Sequence, residues 1–220
     1  MSTNLSPLMP RIRWGIWGLP LAGLCFLIGL LLRGEPANDA ATDPTHFAQA
    51  VTAPSYIIGW SFLIFGMVLL IFGYLALYGY LASTPVERRA SFALLLSVTG
   101  TALQIGFFSI LSFVAMAIGQ NYLAGQTGGI DVMSTLFAGP LIIYLAVATL
   151  LYLVGTVMFA VAIGGSPTLP RWTGILLPVY YLLFLAPAFQ LTGITSLIIE
   201  SLGAALLILA GAGLIQAMRS

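Results

Sequence analysis

Lysine is missing from this chain, and histidine and cysteine occur once each, as His46 and Cys25. Without lysine no Schiff base can form on a side-chain amine. A lone cysteine excludes an internal disulfide and a CxxC redox pair. One histidine and one cysteine are too few for the ligand sets that zinc and haem sites use, so no metal and no cofactor is expected. Charge is scarce too: 6% of 220 residues, against about 25% in an average soluble domain. What fills the chain is apolar, with 60% hydrophobic residues and a mean hydropathy of +1.07. The formal net charge of +1 gives no reason to expect a nucleic-acid partner. Lipid is the solvent this composition fits.

About 20 helical residues cross a 30 Å hydrocarbon core. Six apolar runs come near or exceed that length: 14–32, 56–82, 91–118, 141–163, 172–190 and 194–216. Between them stand "RGEPANDAATDPTH", "STPVERRA", "GQNYLAGQTGGID", "GGSPTLPR" and "QLTG", rich in the residues that break helices. The first run is longer than a signal-peptide core and counts as a span. The expected fold is one all-α domain over residues 1–220, a polytopic bundle of six transmembrane helices.

Arginine sets the orientation. In a six-span weave Arg11, Arg13, Arg88, Arg89, Arg171 and Arg219 fall on one side. Arg33 falls on the other, beside Glu35, Asp39, Asp43 and later Asp131. The positive-inside rule then places both termini in the cytoplasm. Trp14, Trp17 and Trp172 mark inner interfaces, and Tyr56 and Trp60 an outer one. In the first outer loop Asp43 suits a helix N-cap and Pro44 the first turn. Phe47, Ala50 and Val51 would share the apolar face of a short interfacial helix there.

Small residues recur every seventh position: Gly59, Gly66 and Gly73; Ala148, Gly155 and Ala162; Ser196, Gly203 and Ala210. Glycine costs about 1 kcal/mol against alanine in a helix in water. In lipid, though, small residues let helix backbones approach, and a seven-residue period keeps them on one face. These stripes read as helix-packing faces, with Leu70 expected to face lipid.

No nucleophile with an activating base is visible in the spans, so no catalytic residue is expected and the chain reads as a non-enzyme. His46 falls in an outer loop. The polar residues singled out for a ligand or proton site are Glu200, the one acidic residue in a span, Gln104 near the middle of span three, and Gln190 at the outer end of span five. Glu200 lies roughly 8 Å inside its span at 1.5 Å per residue. Either it is a neutral hydrogen-bonding group or it marks a polar pocket. Pro178 and Pro187 favour kinks in span five.

The strings "DPTHFAQAVTAPSYIIG", "LALYGYLAS", "LPRW" and "IIESLGAALLILAGAG" resemble a loosely defined family of six-span bacterial membrane proteins known only as a domain of unknown function. The resemblance implies a multi-pass protein of the bacterial inner membrane and adds no activity. Two functional classes follow from the residues. One is a non-catalytic membrane protein, either an accessory or assembly subunit on a membrane-protein partner (or on itself), or a binder of membrane lipid or a lipid-like molecule between its helices. The other is a small transporter or proton-linked carrier using Glu200. An inverted repeat would favour transport, and none is evident.

Overall fold

The structure, a computed structural model, describes residues 9–34, 43–132, 139–185 and 193–219. Among these residues it is helical, without strands. The helices are α1 (Met9–Ile16), α2 (Gly18–Arg33), α3 (Pro44–Thr52), α4 (Pro54–Leu81), α5 (Glu87–Leu123), α6 (Pro140–Gly165), α7 (Arg171–Phe184) and α8 (Gly193–Ala217). Five stretches are long and apolar enough to cross a membrane: Pro10–Arg33, Pro54–Leu81, Glu87–Leu123, Leu141–Gly165 and Gly193–Ala217. The expected fifth span is represented by α7, 14 residues long and so about 21 Å. The rest of that expected span, including Pro187 and Gln190, lies outside the described residues. Pro178 sits inside α7 without ending it.

Two local details depart from the sequence reading. The first span is broken at Trp17, because Pro20 has no N–H to offer the carbonyl of Ile16. Trp17 instead bonds back to Trp14 at 3.2 Å. The third span is longer than expected: α5 has 37 residues, about 55 Å, well beyond one hydrocarbon core. Residue Glu87 opens it, where a negative charge suits the positive end of the helix dipole.

The main helix pairings form a closed circuit: α2 on α4, α4 on α5, α5 on α6, α6 on α7, α7 on α8, and α8 back on α2. Large side chains fill the middle, among them Tyr74, Tyr152, Phe159 and Tyr180. The small-residue stripes are the seams of this circuit. A Cβ on Gly66 would lie 2.6 Å from the Phe26 ring and 3.1 Å from the Ala22 carbonyl. On Gly73 it would meet the Leu19 backbone at 3.0 Å, and on Gly59 the Arg33 nitrogen at 2.5 Å. Helix α2 answers with Gly18 and Gly29, where a Cβ would lie 2.5 Å and 2.8 Å from α4 carbonyl oxygens. Gly155 lies against the Ser97 backbone on α5, and Gly203 against the Tyr180 carbonyl on α7. Ala148, Ala162 and Ala210 are fully buried. Leu70 is buried as well (2% exposed), not turned to lipid; Phe65 and Phe72 face outward instead.

The bundle has two chemically distinct ends. At one, Gly165 meets Val86, Gly213 meets Trp172 and Thr173, and Tyr80 bonds Thr168 at 3.0 Å. That end gathers Arg13, Arg88, Arg89, Arg171 and Arg219. At the other, Asp43 caps α3 by accepting from the His46 backbone N–H at 3.0 Å. Phe47, Ala48 and Val51 of α3 are buried against α5, with Ala48 taking the place expected of Ala50. Among the tryptophans, Trp14, Trp17 and Trp172 are exposed, while Trp60 and Tyr56, expected at a lipid interface, are buried.

Candidate functional site

Arg33 is the last residue of α2 because Gly34, with φ of +70° and ψ of −153°, takes a positive-φ conformation that is open to glycine and ends the helix. Its Nη2 donates to Glu200 Oε2 of α8 at 3.0 Å, and the two side chains are 7% and 2% exposed. The guanidinium carbon also lies 5.1 Å from the centre of the Trp60 ring, a cation–π contact. Trp60 in turn packs on Phe108 at 5.3 Å and Tyr56 at 6.2 Å, forming an aromatic shelf. Gly59 makes the approach feasible: the α2 and α4 backbones touch there at Arg33 itself. The glycine stripe therefore places a charge as well as packing a seam.

A buried ion pair gains only where its remaining hydrogen-bonding groups are satisfied. Here they are not. Arg33 Nε, Trp60 Nε1 and Ser196 Oγ are buried without a hydrogen-bond partner among the described residues. Ser196 stands one helical turn before Glu200, on the same buried face of α8. Each such group costs about 1–3 kcal/mol when left unpaired. Three of the four unpaired buried polar atoms described thus collect around one ion pair; the fourth, Ser97 Oγ, lies in the α5–α6 seam.

A second polar cluster occupies the middle of the bundle. The Tyr152 hydroxyl hydrogen-bonds both Tyr74 and Tyr180, linking α4, α6 and α7. Beside it, Gln104 Nε2 donates to the Tyr181 hydroxyl, which donates to Thr149 at 3.2 Å. Tyr152 and Tyr181 rings stand 4.3 Å apart, so the two hydrogen-bonded sets share one aromatic wall. These bonds satisfy groups that would otherwise be stranded among apolar side chains.

Of the residues singled out from sequence, Glu200 and Gln104 are each buried and bonded, but in separate clusters. Gln190 lies outside the described residues. The residues missed were Arg33, counted with loop charges, and Tyr74, Tyr152, Tyr180 and Tyr181, passed over as apolar. One signal for Arg33 was available: it is the sole arginine at the end where Glu200 also lies. The searches of known protein families, curated proteins and solved structures found nothing that matches this chain.

Proposed function

We propose that this chain is a non-catalytic, multi-pass membrane protein with six spans and both ends in the cytoplasm, and that it holds an uncharged, lipid-like amphiphile by its polar head at Arg33, Trp60 and Ser196. The sixth crossing is supported by the path of the chain. Helix α7 starts at the arginine-rich end, whereas α8 starts at the opposite end. The arginine-rich end suits the cytoplasm by the positive-inside rule. The absence of lysine and the single histidine and cysteine support a non-catalytic role.

The observation that carries the ligand is the set of unpaired atoms beside the ion pair. Arg33 Nε lacks an acceptor, Trp60 Nε1 makes no well-aligned hydrogen bond although the Tyr56 hydroxyl is its neighbour, and Ser196 adds a hydroxyl. Glu200 already balances the charge of Arg33, so a neutral head bearing a carbonyl or ester oxygen suits the cluster better than an anion. The proton-linked carrier using Glu200 draws support from the buried hydroxyl chain of Tyr74, Tyr152 and Tyr180. Among the described residues, however, no hydrogen bond joins that chain to Glu200.

The test is native mass spectrometry of the protein extracted in mild detergent, with Trp60→Phe and Ser196→Ala as variants. Wild type is expected to retain a small amphiphile that both variants lose. The ligand-free variants should melt no lower than ligand-free wild type, because each removes a stranded polar group. Retention of a protein in place of a small molecule would favour the accessory-subunit reading. Neither, with unchanged variants, would overturn the proposal.

A further inference from the structure

At the arginine-rich end, α1, the Trp17 turn and the last turn of α8 enclose two adjoining clefts. The outer one is lined by Arg13, Trp14, Trp17, Ile215 and Arg219. The inner one shares Trp17 and Arg219 and continues along Pro20, Ala212 and Ile208. Ile208 stands seven residues before Ile215 on α8, about 10 Å further into the bundle's apolar zone. A basic mouth thus opens into an apolar groove. Trp14, 78% exposed, flanks the mouth.

Among the described residues no acidic side chain answers these two arginines. Both are exposed, and neither has a carboxylate partner among the described residues. The chain's acidic residues are Glu35, Asp39, Asp43, Glu87, Asp131 and Glu200, and residues 1–8 contain none. Of the six, the structure brings Glu87 to this end, where it stands beside Arg88 and Arg89. Basic pockets between helices at a membrane surface attract anionic headgroups, at about 1 kcal/mol per arginine.

We infer that this groove is a binding site for one acidic phospholipid: its phosphate lies between Arg13 and Arg219, and an acyl chain runs along Pro20, Ala212 and Ile208. Trp14 and Trp17 take the headgroup level, where indole rings are favoured. The inference rests on the membrane reading above but not on the Arg33 cluster at the other end.

The test is lipid retention by the full chain reconstituted in nanodiscs of phosphatidylcholine with phosphatidylglycerol, released gently and weighed by native mass spectrometry. Wild type is expected to keep one phosphatidylglycerol in preference to phosphatidylcholine. Arg13→Gln and Arg219→Gln should each weaken that preference roughly fivefold, while Arg88→Gln with Arg89→Gln should leave it intact. Ala212→Phe, which blocks the groove and keeps both arginines, should also release the lipid; it serves if the arginine variants fail to fold. Equal loss in the Arg88/Arg89 variant would mean diffuse charge attraction and overturn the site. Displacement by soluble glycerol phosphate would identify a free phosphate compound as the ligand and overturn the lipid assignment. A chain that stays soluble without detergent would refute the membrane reading itself, whereas a detergent-dependent chain without lipid preference refutes this inference alone.

Discussion

Arg33 and Glu200 meet at 3.0 Å although 167 positions separate them in the chain. Their contact fastens α2 to α8, the one main seam of the circuit that joins its first helix to its last. Breaking a buried pair by removing one partner typically costs about 3–5 kcal/mol, because the other charge is left uncompensated. Glu200→Leu should therefore lower the melting temperature in detergent sharply, and Glu200→Gln less, since an amide oxygen still accepts from Arg33. The double variant Arg33→Met/Glu200→Leu should recover most of the loss. If it melts as low as Glu200→Leu alone, the stranded charge is not the cause.

The α2–α4 seam gives a second expectation. Gly66→Leu drives a side chain into Phe26 and the Ala22 carbonyl, and overpacking of this kind costs about 1–3 kcal/mol. Phe65→Ala, one residue away on the outward face, should change little. Leu70→Ala, on the buried face, should cost about 2 kcal/mol or more. Thermal unfolding of the three variants checks the rotation of α4: a costly Phe65→Ala beside a harmless Leu70→Ala would reverse its faces.

For the central hydroxyls, Tyr152→Phe removes the shared partner of Tyr74 and Tyr180, which stay within hydrogen-bonding reach of each other. The lost hydrogen bonds should cost about 1 kcal/mol. Replacing all three tyrosines by phenylalanine should cost no more than Tyr152→Phe alone, because none of the three hydroxyls then remains to be satisfied. Gln104→Leu should cost about 1 kcal/mol, since Tyr181 keeps its bond to Thr149. A triple variant weaker than the single one would mean that packing, not hydrogen bonding, holds the cluster.

Orientation is open to chemical labelling in a Cys25→Ala background. Ser83, Thr168 and Thr127 are all exposed, so protection of a cysteine placed there reports the membrane rather than burial. An impermeant reagent applied to intact cells should label Thr127→Cys and spare Ser83→Cys and Thr168→Cys. The inverse pattern would turn the protein over. Labelling of Thr127→Cys and Thr168→Cys alike would mean that α6 does not cross, whereas labelling of Arg219→Cys with Thr168→Cys spared would remove the crossing by α7.

Helices were readable from the sequence wherever an apolar run exceeded the membrane's thickness, because length and hydropathy are local properties. The seams were half readable. The seven-residue recurrence of Gly59, Gly66 and Gly73 marked a contact face, but not that α2 would answer it. Asp43 and Pro44 announced α3, because capping involves only neighbouring residues. The candidate site was legible as a residue and not as a site. Glu200 stood out as an acid in an apolar run, yet its partner depends on which helices become neighbours, and no periodicity within one helix records that. The tyrosines escaped for another reason: a phenol is nearly neutral in hydropathy, and only the rotation of three helices brings Tyr74, Tyr152 and Tyr180 to one point.

The circuit of helices also has a history in time. Five of its six main seams join main helices that follow one another along the chain and are available as soon as the later helix is made. The α2–α8 seam must wait for nearly the whole chain to be made. Until then a slot stands open along the bundle, and Arg33 at its rim faces lipid or water without its counter-ion. The last helix of the circuit carries the carboxylate that ends this exposure, so a chain stopped before residue 200 keeps an unneutralised arginine at its open side.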